Sequence, residues 1–405
     1  MKEKPDNPVV AVNARGAARL RGGHPWVYRS DIRADRGVPA GSIVTVADPR
    51  GKPLATALYS NSSQIAIRAI STEQFPAREW PGLLRRRIRE AIAFRRQVVR
   101  DSEAYRVVFS EADSLPGLIV DRYGELISLQ ILTQAMDAEV VRNAIVETMV
   151  EELKPTAIFE RVEPRIRELE KLPPRADSLL WSRSGASVPS QTEFKMNGLR
   201  FSFDAAAGQK TGAFLDQREN YAAAECHARG RAIDVFSYQG GFALHLNRKC
   251  DSVTAVDISR PALEIAEKNW ERNREVSGGR EIEFIEANAF DLLRDYADAG
   301  EKYDTIVLDP PAFAKGKSNV ATATRGYKEL NLRALKMLKP SGVLVTCSCS
   351  FHVSEAEFLE MLSAAASDAH RQVRILEKRT QSADHPILLN VPETYYLKCI
   401  ICQAL

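Results

Sequence analysis

The stretch Ala232-Ile-Asp-Val-Phe-Ser-Tyr-Gln-Gly-Gly-Phe242 decides the fold class of this 405-residue chain. Its apolar first half is typical of a buried strand, and the glycine pair is followed by the beginning of a helix. Gly240 and Gly241 have no Cβ atoms, and we expect this to allow a ligand to approach the backbone of the turn. A strand, a glycine turn and a helix in this order indicate a nucleotide-binding α/β domain.

Further strands alternate with helices along residues 191–405. Apolar strand patterns occur at residues 253–257, 282–285, 303–308, 342–346 and 395–401, and a helical pattern covers 261–273. Alternation of this kind predicts a doubly wound, mostly parallel sheet that binds ligands at the carboxyl ends of its strands. We therefore expect residues 191–405 to form a Rossmann-like domain.

The cofactor that this domain binds is predicted from Asp257, which ends the second strand. An acidic residue at that position binds two ribose hydroxyls in nucleotide-binding folds. The glycine turn is not a GxGxxG motif, and residues 208–212 lack the order of a phosphate-binding loop. A nucleoside without phosphates fits better than a dinucleotide, and S-adenosylmethionine is the common one.

Two short motifs follow the fourth and fifth strands and predict the chemistry. Asp309-Pro-Pro-Ala-Phe313 is a stiff loop, because prolines restrict the backbone, and it fixes the Asp309 carboxyl group beside an aromatic ring. Thr346-Cys-Ser-Cys-Ser350 places two thiols at the end of the neighbouring strand. They are either buried packing residues or a source of a nucleophilic thiolate.

These motifs leave three functions open. A thiolate beside a methyl donor suits methylation of pyrimidine C5, because addition at C6 makes C5 nucleophilic. Methylation of a base nitrogen, either an exocyclic amine or a ring nitrogen, needs the Asp-Pro-Pro loop but no cysteine. The third possibility is an RNA-binding protein whose Rossmann-like domain has lost catalysis.

The N-terminal part of the chain is strongly basic. Residues 1–110 contain 3 Lys and 17 Arg against 10 acidic residues, a net charge of +10, whereas the whole chain has +3. Residues 1–75 have the pattern of a small β-rich module, and residues 76–190 that of an α+β module with an arginine-rich helix at 80–100. The charge indicates either a surface that binds RNA phosphates or an ordinary solvated helix.

The expected setting is a reducing cytoplasm. Six cysteines in so long a chain are not a disulfide framework, residues 1–7 lack an apolar signal segment, and no apolar run is long enough to span a bilayer. Cys399 and Cys402 have metal-ligand spacing, but no second pair accompanies them, so we expect no metal.

Four segments of the chain together resemble those of a known family. They are Gly208-Gln-Lys-Thr-Gly-Ala-Phe-Leu-Asp-Gln-Arg-Glu-Asn220, the Asp309-Pro-Pro-Ala-Phe313 loop, Ser348-Cys-Ser350 and Ala383-Asp-His-Pro386. They are similar to the RlmI-type cytosine-C5 methyltransferases of large-subunit (23S) ribosomal RNA. The segment Arg19-Leu-Arg-Gly-Gly-His-Pro-Trp-Val-Tyr28 is similar to the beginning of that family's N-terminal PUA domain.

The resemblance implies a PUA domain (1–75), a central RNA-binding α+β domain (76–190) and a class I methyltransferase domain (191–405). It implies that Cys349, rather than Cys347, is the nucleophile. Binding of the pyrimidine edge suits Asp309, because an acid group there stabilises the charge that develops on the ring. It also implies ribosomal RNA as partner, and small edge strands allow a homodimer. His385 is expected in an active-site loop.

With the residues argued above, the resemblance yields a full set of site predictions. Arg218 is expected to bind the methionine carboxylate, and Asn288, where the family usually has Asp, to accept a hydrogen bond from the adenine amine. The predicted cofactor contacts are Phe214, Asp216, Gln217, Arg218, Asp234, Phe236, Ser237, Tyr238, Gly240, Gly241, Asp257, Ile258, Asn288, Ala289, Phe290 and Asp309. The predicted substrate contacts are Pro310, Pro311, Phe313 and Lys315.

Overall fold

The structure, a computed structural model, describes residues 6–185, 190–206, 213–276, 278–314, 316 and 319–405. The chain forms two compact units. The first comprises Met1–Phe194, Phe203–Gly212 and Ala383–Thr394, and the second comprises Lys195–Ser202, Ala213–Ser382 and Tyr395–Leu405. Residues 383–394 therefore cluster with the N-terminal unit, although they follow most of the Rossmann-like pattern in sequence.

The first unit begins with a six-stranded sheet that contains the predicted β-rich module. Its strands are β1 (Val9–Val12), β2 (Trp26–Tyr28), β3 (Ile32–Ala34), β4 (Ile43–Ala47), β5 (Pro53–Tyr59) and β6 (Ile65–Ser71), in the order β2-β6-β5-β4-β1-β3. Helix α1 (Ala14–Arg21) begins at Asn13, whose side chain accepts a hydrogen bond from the Gly16 amide. Strand β1 is parallel to β4, and the other pairings are antiparallel.

A second sheet of the first unit has five strands, and three helices lie between or before these strands in sequence. Strands β7 (Ala104–Phe109), β8 (Leu118–Tyr123), β9 (Leu126–Ile131), β10 (Ala157–Glu160) and β11 (Ser178–Ser182) lie in the order β11-β10-β9-β8-β7. The helices are α2 (Trp80–Val98), α3 (Glu139–Leu153) and α4 (Pro164–Leu169). Helix α2 buries Trp80, Leu84 and Ile88, whose spacing of four residues forms one apolar face.

The arginines of α2 already have partners within the first unit. Arg85 forms an ion pair with Glu147, and Arg89 pairs with Glu151 and Glu152 of α3. Arg95 is buried and binds Asp113. Of the two sequence-based interpretations, an ordinary charged helix therefore describes α2 better than a surface of free cations.

Residues 383–394 pack against the second sheet in the first unit. The Asp384 carboxylate accepts a hydrogen bond from the Arg106 amide at 2.8 Å, and the Arg95 guanidinium donates to the Asp384 carbonyl oxygen at 2.8 Å. His385 is buried, with its ring centroid 5.3 Å from that of Phe109. Its surroundings within this unit are those of a packed residue.

A hairpin of β12 (Gln191–Met196) and β13 (Leu199–Asp204) has residues in both units, and the second unit contains the predicted doubly wound sheet. The strands of that sheet are β14 (Arg231–Val235), β15 (Ser252–Asp257), β16 (Ile282–Glu286), β17 (Tyr303–Leu308), β18 (Leu338–Ser348), β19 (Val373–Arg379) and β20 (Lys398–Ala404), in the order β16-β15-β14-β17-β18-β20-β19. Strand β20 runs antiparallel to β18 and β19 on either side of it, and the other described pairings of this sheet are parallel. The last strand begins three residues later than its predicted start at residue 395.

The helices of the second unit alternate with these strands. They are α5 (Arg218–His227), α6 (Gly241–Asn247), α7 (Arg260–Arg272), α8 (Ala289–Asp298), α9 (Val320–Met337) and α10 (Glu355–Asp368). Helix α10 begins with a capping box, in which Ser354 and Glu357 each bind the other's backbone amide. No helix among the described residues is long and apolar enough to cross a membrane.

Candidate active site

The candidate site lies where the strand order of the second unit reverses. Strands β14 and β17 are neighbours. The chain continues from β14 to β15 on one side of this pair and from β17 to β18 on the other side. Such a switch point leaves a crevice at the carboxyl ends of the strands. The Asp309 amide donates a 3.3 Å hydrogen bond to the Val235 carbonyl oxygen, which joins the two loops at this point.

Asp234 is buried at the end of β14. One carboxylate oxygen accepts a 2.9 Å hydrogen bond from the Ala243 amide at the beginning of α6. The other oxygen, Oδ1, is buried without a hydrogen-bond partner among the described residues. Burial raises the pKa of Asp234 to about 7, and the hydrogen bond from the Ala243 amide acts in the opposite direction.

The glycine pair is explained by packing within the protein. A Cβ atom on Gly240 would lie 2.4 Å from the Leu244 side chain, and one on Gly241 would lie 2.4 Å from the Tyr221 ring. Gly240 also has φ +85°, which favours glycine. The structure thus gives a packing reason for both glycines, and the expectation that they also let a ligand approach the backbone stays a prediction.

The loop between β14 and α6 has an unusual backbone. Phe236 and Tyr238 have φ values of +70° and +51°, which side chains larger than glycine rarely adopt. The Tyr238 amide donates a 2.9 Å hydrogen bond to Asp257 Oδ2, which supports this conformation. Strain of this kind is concentrated at ligand sites.

Asp257 and Ile258 lie at the end of β15, as predicted. The Asp257 carboxylate accepts hydrogen bonds from the Tyr238 and Ser259 amides, both at 2.9 Å, so its orientation is fixed. Each oxygen keeps a second lone pair for a ribose hydroxyl. Ile258 is 69% exposed, which leaves an apolar surface next to the carboxylate where a base can stack.

Asn288 has a structural task that the sequence analysis did not include. Its side-chain oxygen accepts hydrogen bonds from the amides of Phe290 and Asp291 and so caps helix α8. Both lone pairs of that oxygen are thus engaged, and its side-chain NH₂ group is the part left to meet an adenine ring. Ala289 is buried in the first turn of the same helix.

The segment before α5 supplies polar groups to the same crevice. Gln217 donates a 2.9 Å hydrogen bond to Asp309, and the Tyr396 hydroxyl donates one of 2.6 Å to Asp216. Arg218 is buried and lies 3.4 Å from Glu219. Phe214 is 39% exposed, with its ring 5.0 Å from that of Tyr238.

The Asp309 carboxyl group is poised to carry a proton. Part of its surface is accessible, yet it is recessed enough for desolvation to raise its pKa to about 8. The nearby carboxylates of Asp216 and Asp234 act in the same direction, and the hydrogen bond from Gln217 acts against them. Near neutral pH, Asp309 is thus largely a neutral acid.

The rest of the Asp-Pro-Pro loop packs against helix α9. Pro310 is buried, and Pro311 is exposed. The Phe313 ring lies 4.8 Å from that of Tyr327 and 6.0 Å from that of Phe290, so its neighbours already hold it. Lys315, a predicted substrate contact, lies outside the described residues, as do residues 208–212 of the first quoted motif.

The two cysteines at the end of β18 differ in their exposure to solvent. Cys347 is fully buried opposite Cys399 in the β18–β20 ladder, and burial holds its pKa well above the usual range. Cys349 lies just after β18, is partly exposed, and its Sγ atom is 3.9 Å from the Pro310 carbonyl oxygen. The accessible thiol of the pair therefore contacts the Asp-Pro-Pro loop.

Two residues near Cys349 were not among the site residues predicted from the sequence. Tyr327 donates to or accepts from the Ser350 hydroxyl at 2.9 Å, and Lys398 donates a 2.7 Å hydrogen bond to the Ser350 carbonyl oxygen. A lysine within the apolar strand pattern at 395–401 was a usable signal, because lysine is rarely buried without a partner. Tyr327 gave no such signal, since one tyrosine on an amphipathic helix is ordinary.

Family models and known proteins agree on the class. Residues 10–72 match a PUA-like domain, and residues 144–387 match an S-adenosylmethionine-dependent methyltransferase. A putative SAM-dependent methyltransferase from Streptococcus mutans has a similar fold, with a TM-score of 0.80 and 17% identity over 98% of this chain and 99% of that one. A putative methyltransferase named SMU.776, solved with SAH, gives a TM-score of 0.81 at 17% identity over the same shares of the two chains.

The fold and site define a class I S-adenosylmethionine-dependent methyltransferase with an N-terminal PUA-like domain. Proteins called ribosomal RNA large subunit methyltransferase I are 36% identical in Pseudoalteromonas translucida, over 95% of this chain and 96% of that protein, and 38% identical in Tolumonas auensis, over 94% and 96%. The chain belongs to this family. The methyl donor is S-adenosylmethionine, and the unpartnered Asp234 Oδ1 and the exposed Ile258 fit such a ligand.

Proposed function

We propose that this protein methylates C5 of a cytosine in large-subunit (23S) ribosomal RNA through a covalent adduct at C6. The substrate class is supported by relatives whose names specify large-subunit ribosomal RNA. The chemistry is supported by one observation above all: the accessible thiol of Cys349 contacts the loop that carries the raised-pKa acid Asp309. Methylation of a base nitrogen would need no thiol at that place.

The residues have distinct tasks in this reaction. The Cys349 thiolate adds to C6, and the electron pair of the C5–C6 double bond moves toward the ring carbonyl and N3. Asp309, as a neutral acid, donates a hydrogen bond or its proton to N3 and so stabilises this charge. S-adenosylmethionine, when bound, would supply the methyl group for C5, and the electron pair of its S–CH₃ bond would stay on sulfur. Loss of the C5 proton to a base and expulsion of the Cys349 thiolate then restore the aromatic ring.

The donor is expected to bind along the carboxyl ends of β14, β15 and β17. Asp257 would bind the ribose hydroxyls, and Ile258 would stack on the adenine. Asp234 and the segment from Phe214 to Arg218 would hold the methionine part. These assignments agree with the fixed orientation of Asp257 and with the buried, unpartnered oxygen of Asp234.

The remaining parts of the chain are assigned to RNA. The PUA-like domain and the five-stranded sheet would hold the nucleic acid, and the target cytosine would leave its stack to reach the crevice. We propose that the protein acts in the cytoplasm, where ribosomal RNA is made in bacteria such as those of its relatives. We also propose that the protein forms a homodimer, and its mass in solution can be measured by analytical ultracentrifugation.

The decisive experiment uses ribosomal RNA in which 5-fluorocytosine replaces cytosine. Fluorine at C5 cannot leave as a proton does, so the adduct with Cys349 should persist and migrate as a protein–RNA species in denaturing gels. Mass mapping of the methylated base in normal RNA should give 5-methylcytosine. Cys349→Ala should abolish both the adduct and the methylation.

Cys347→Ala is the matched control, because this thiol is two residues away but fully buried. It should retain the adduct and most of the methylation. Turnover by Cys349→Ala, or a methyl group on a base nitrogen, would overturn the C5 proposal and favour nitrogen methylation. Absence of S-adenosylmethionine binding in calorimetry would favour a protein that only binds RNA.

A further inference from the structure

Lys398 is a buried charge for which the proposed reaction has so far given no task. It is the first residue of β20, and it is directly opposite Ser348, the last residue of β18. Only 2% of its surface is exposed. Lysine is almost never buried this deeply unless it is paired, because transfer of an ammonium group out of water is costly.

The Lys398 ammonium group is hydrogen-bonded to the loop that carries Cys349. Its Nζ atom donates hydrogen bonds to the carbonyl oxygens of Ser350, at 2.7 Å, and Tyr396, at 2.8 Å. Ser350 directly follows Cys349. The same serine binds the Tyr327 hydroxyl and accepts a 3.1 Å hydrogen bond from the Ala314 amide, so the loop is fixed from two sides.

Neutral carbonyl groups leave the charge of a buried ammonium group largely uncompensated. Burial lowers the pKa of Lys398 to about 8, whereas Cys349, Glu357 and Glu355 act to raise it. Glu355 is bound to Lys378 and to the Tyr395 hydroxyl, and Glu357 is engaged in the capping box of α10. Both carboxylates thus have other partners as well, and among the described groups that raise the pKa of Lys398 the Cys349 thiol acts most strongly.

We propose that Lys398 is a positioning residue that fixes the Cys349 loop and, through its positive charge, favours the thiolate form of Cys349. A cation close to a thiol lowers its pKa, and the thiolate is the nucleophilic form. Tyr327 of α9 also faces Cys349, and burial raises the pKa of its hydroxyl, so that it is a neutral phenol at physiological pH. This inference rests on the proposed function, because it assumes that Cys349 attacks the base.

The test measures the rate of Cys349 alkylation by iodoacetamide as a function of pH, without RNA or methyl donor. A Cys226→Ser background removes an exposed competing thiol, and peptide mass spectrometry identifies the alkylated residue. Lys398→Gln keeps a hydrogen-bond donor but removes the charge. We expect the midpoint of its alkylation profile to rise by about one pH unit, with about tenfold slower alkylation below the midpoint.

Lys398→Arg retains the charge and should keep the midpoint near that of the parent protein. In methylation assays, Lys398→Gln should lower kcat and leave the KM for RNA nearly unchanged. Lys398→Met serves as a second neutral variant if the glutamine variant does not fold, as judged by circular dichroism. An unchanged midpoint in a folded neutral variant overturns the inference. Failure of the C5 proposal is distinguishable, because it appears as methylation by Cys349→Ala and leaves the alkylation profile unaffected.

Discussion

The Gln217 side-chain amide donates a 2.9 Å hydrogen bond to Asp309 Oδ1 across 92 residues of sequence. The orientation of this amide is fixed, because its oxygen accepts a 2.7 Å hydrogen bond from Asn220. Asn220 in turn accepts one of 3.0 Å from Arg379. Asp309 Oδ1 is therefore an acceptor, and Oδ2 is the oxygen that we expect to carry a proton when this carboxyl group is neutral.

Replacement of Gln217 by Met removes the donor but nearly preserves the volume. Since the hydrogen bond from Gln217 lowers the pKa of Asp309, its loss should raise that pKa above about 8. The alkaline limb of the kcat/KM profile, where Asp309 loses its proton, should move to higher pH. We also expect kcat to fall about 10- to 100-fold because the acid is less well oriented. An alkaline limb that stays in place would show that it reports another group.

Asp309→Asn should change how stability depends on pH in the absence of ligands. The pKa of Asp309 is raised from 3.8 to about 8, so above pH 4 the unfolded chain loses a proton that the folded protein keeps. The wild type should then lose stability relative to the variant as pH rises from about 4 to 8, by up to about 1.4 kcal/mol per pH unit. Urea unfolding of both proteins at several pH values measures this difference. Parallel curves would contradict the raised pKa.

Gly241→Ala tests whether the glycine turn serves packing. The new Cβ atom would lie 2.4 Å from the Tyr221 ring, and overpacking of this kind costs about 1–3 kcal/mol. Tyr221→Leu provides space, so the double variant should recover part of the loss in a double-mutant cycle. If the alanine instead blocks the methyl donor, the single and double variants will bind S-adenosylmethionine equally weakly. Thermal unfolding and calorimetry separate these outcomes.

The architecture of the second unit could be predicted because the signals are local. An apolar strand, a glycine turn and a strand-terminal acid lie close together in sequence, as at Asp234 and Asp257. The carboxyl ends of parallel strands meet at one edge, so these acids and Asp309 were expected to be neighbours. The same reasoning placed Cys349 one strand away from Asp309.

Interactions between distant segments left no comparable pattern. The sequence shows a glycine at 241 but not that Tyr221 fills the space its side chain would need. It shows a lysine in an apolar strand but not that Lys398 binds the carbonyl of Ser350, 48 residues away. Composition gave the charge of the N-terminal part correctly, yet it could not show that the arginines of α2 have carboxylate partners in α3.

Some basic residues of the first unit form ion pairs with carboxylates, and others do not. Arg85 and Arg89 form ion pairs with α3. Arg50 and Lys52, in the turn between β4 and β5, are exposed and form no ion pair with any residue that the structure describes. A cation already paired with a carboxylate gains less from a phosphate than a free one does, because the first interaction must be given up.

Charge removal at the two sites should therefore affect RNA binding differently. The double variant Arg50→Ala/Lys52→Ala should weaken RNA affinity and lower the slope of log affinity against log salt by about 0.7 for each phosphate that is no longer neutralised. The matched double variant Arg85→Ala/Arg89→Ala removes the same charge but should leave the salt slope nearly unchanged. Its expected cost is in stability, at about 0.2–1 kcal/mol for each exposed ion pair. Filter binding at four salt concentrations measures the slopes, and a larger decrease in slope for the α2 variant would assign the phosphate-binding role to that helix instead.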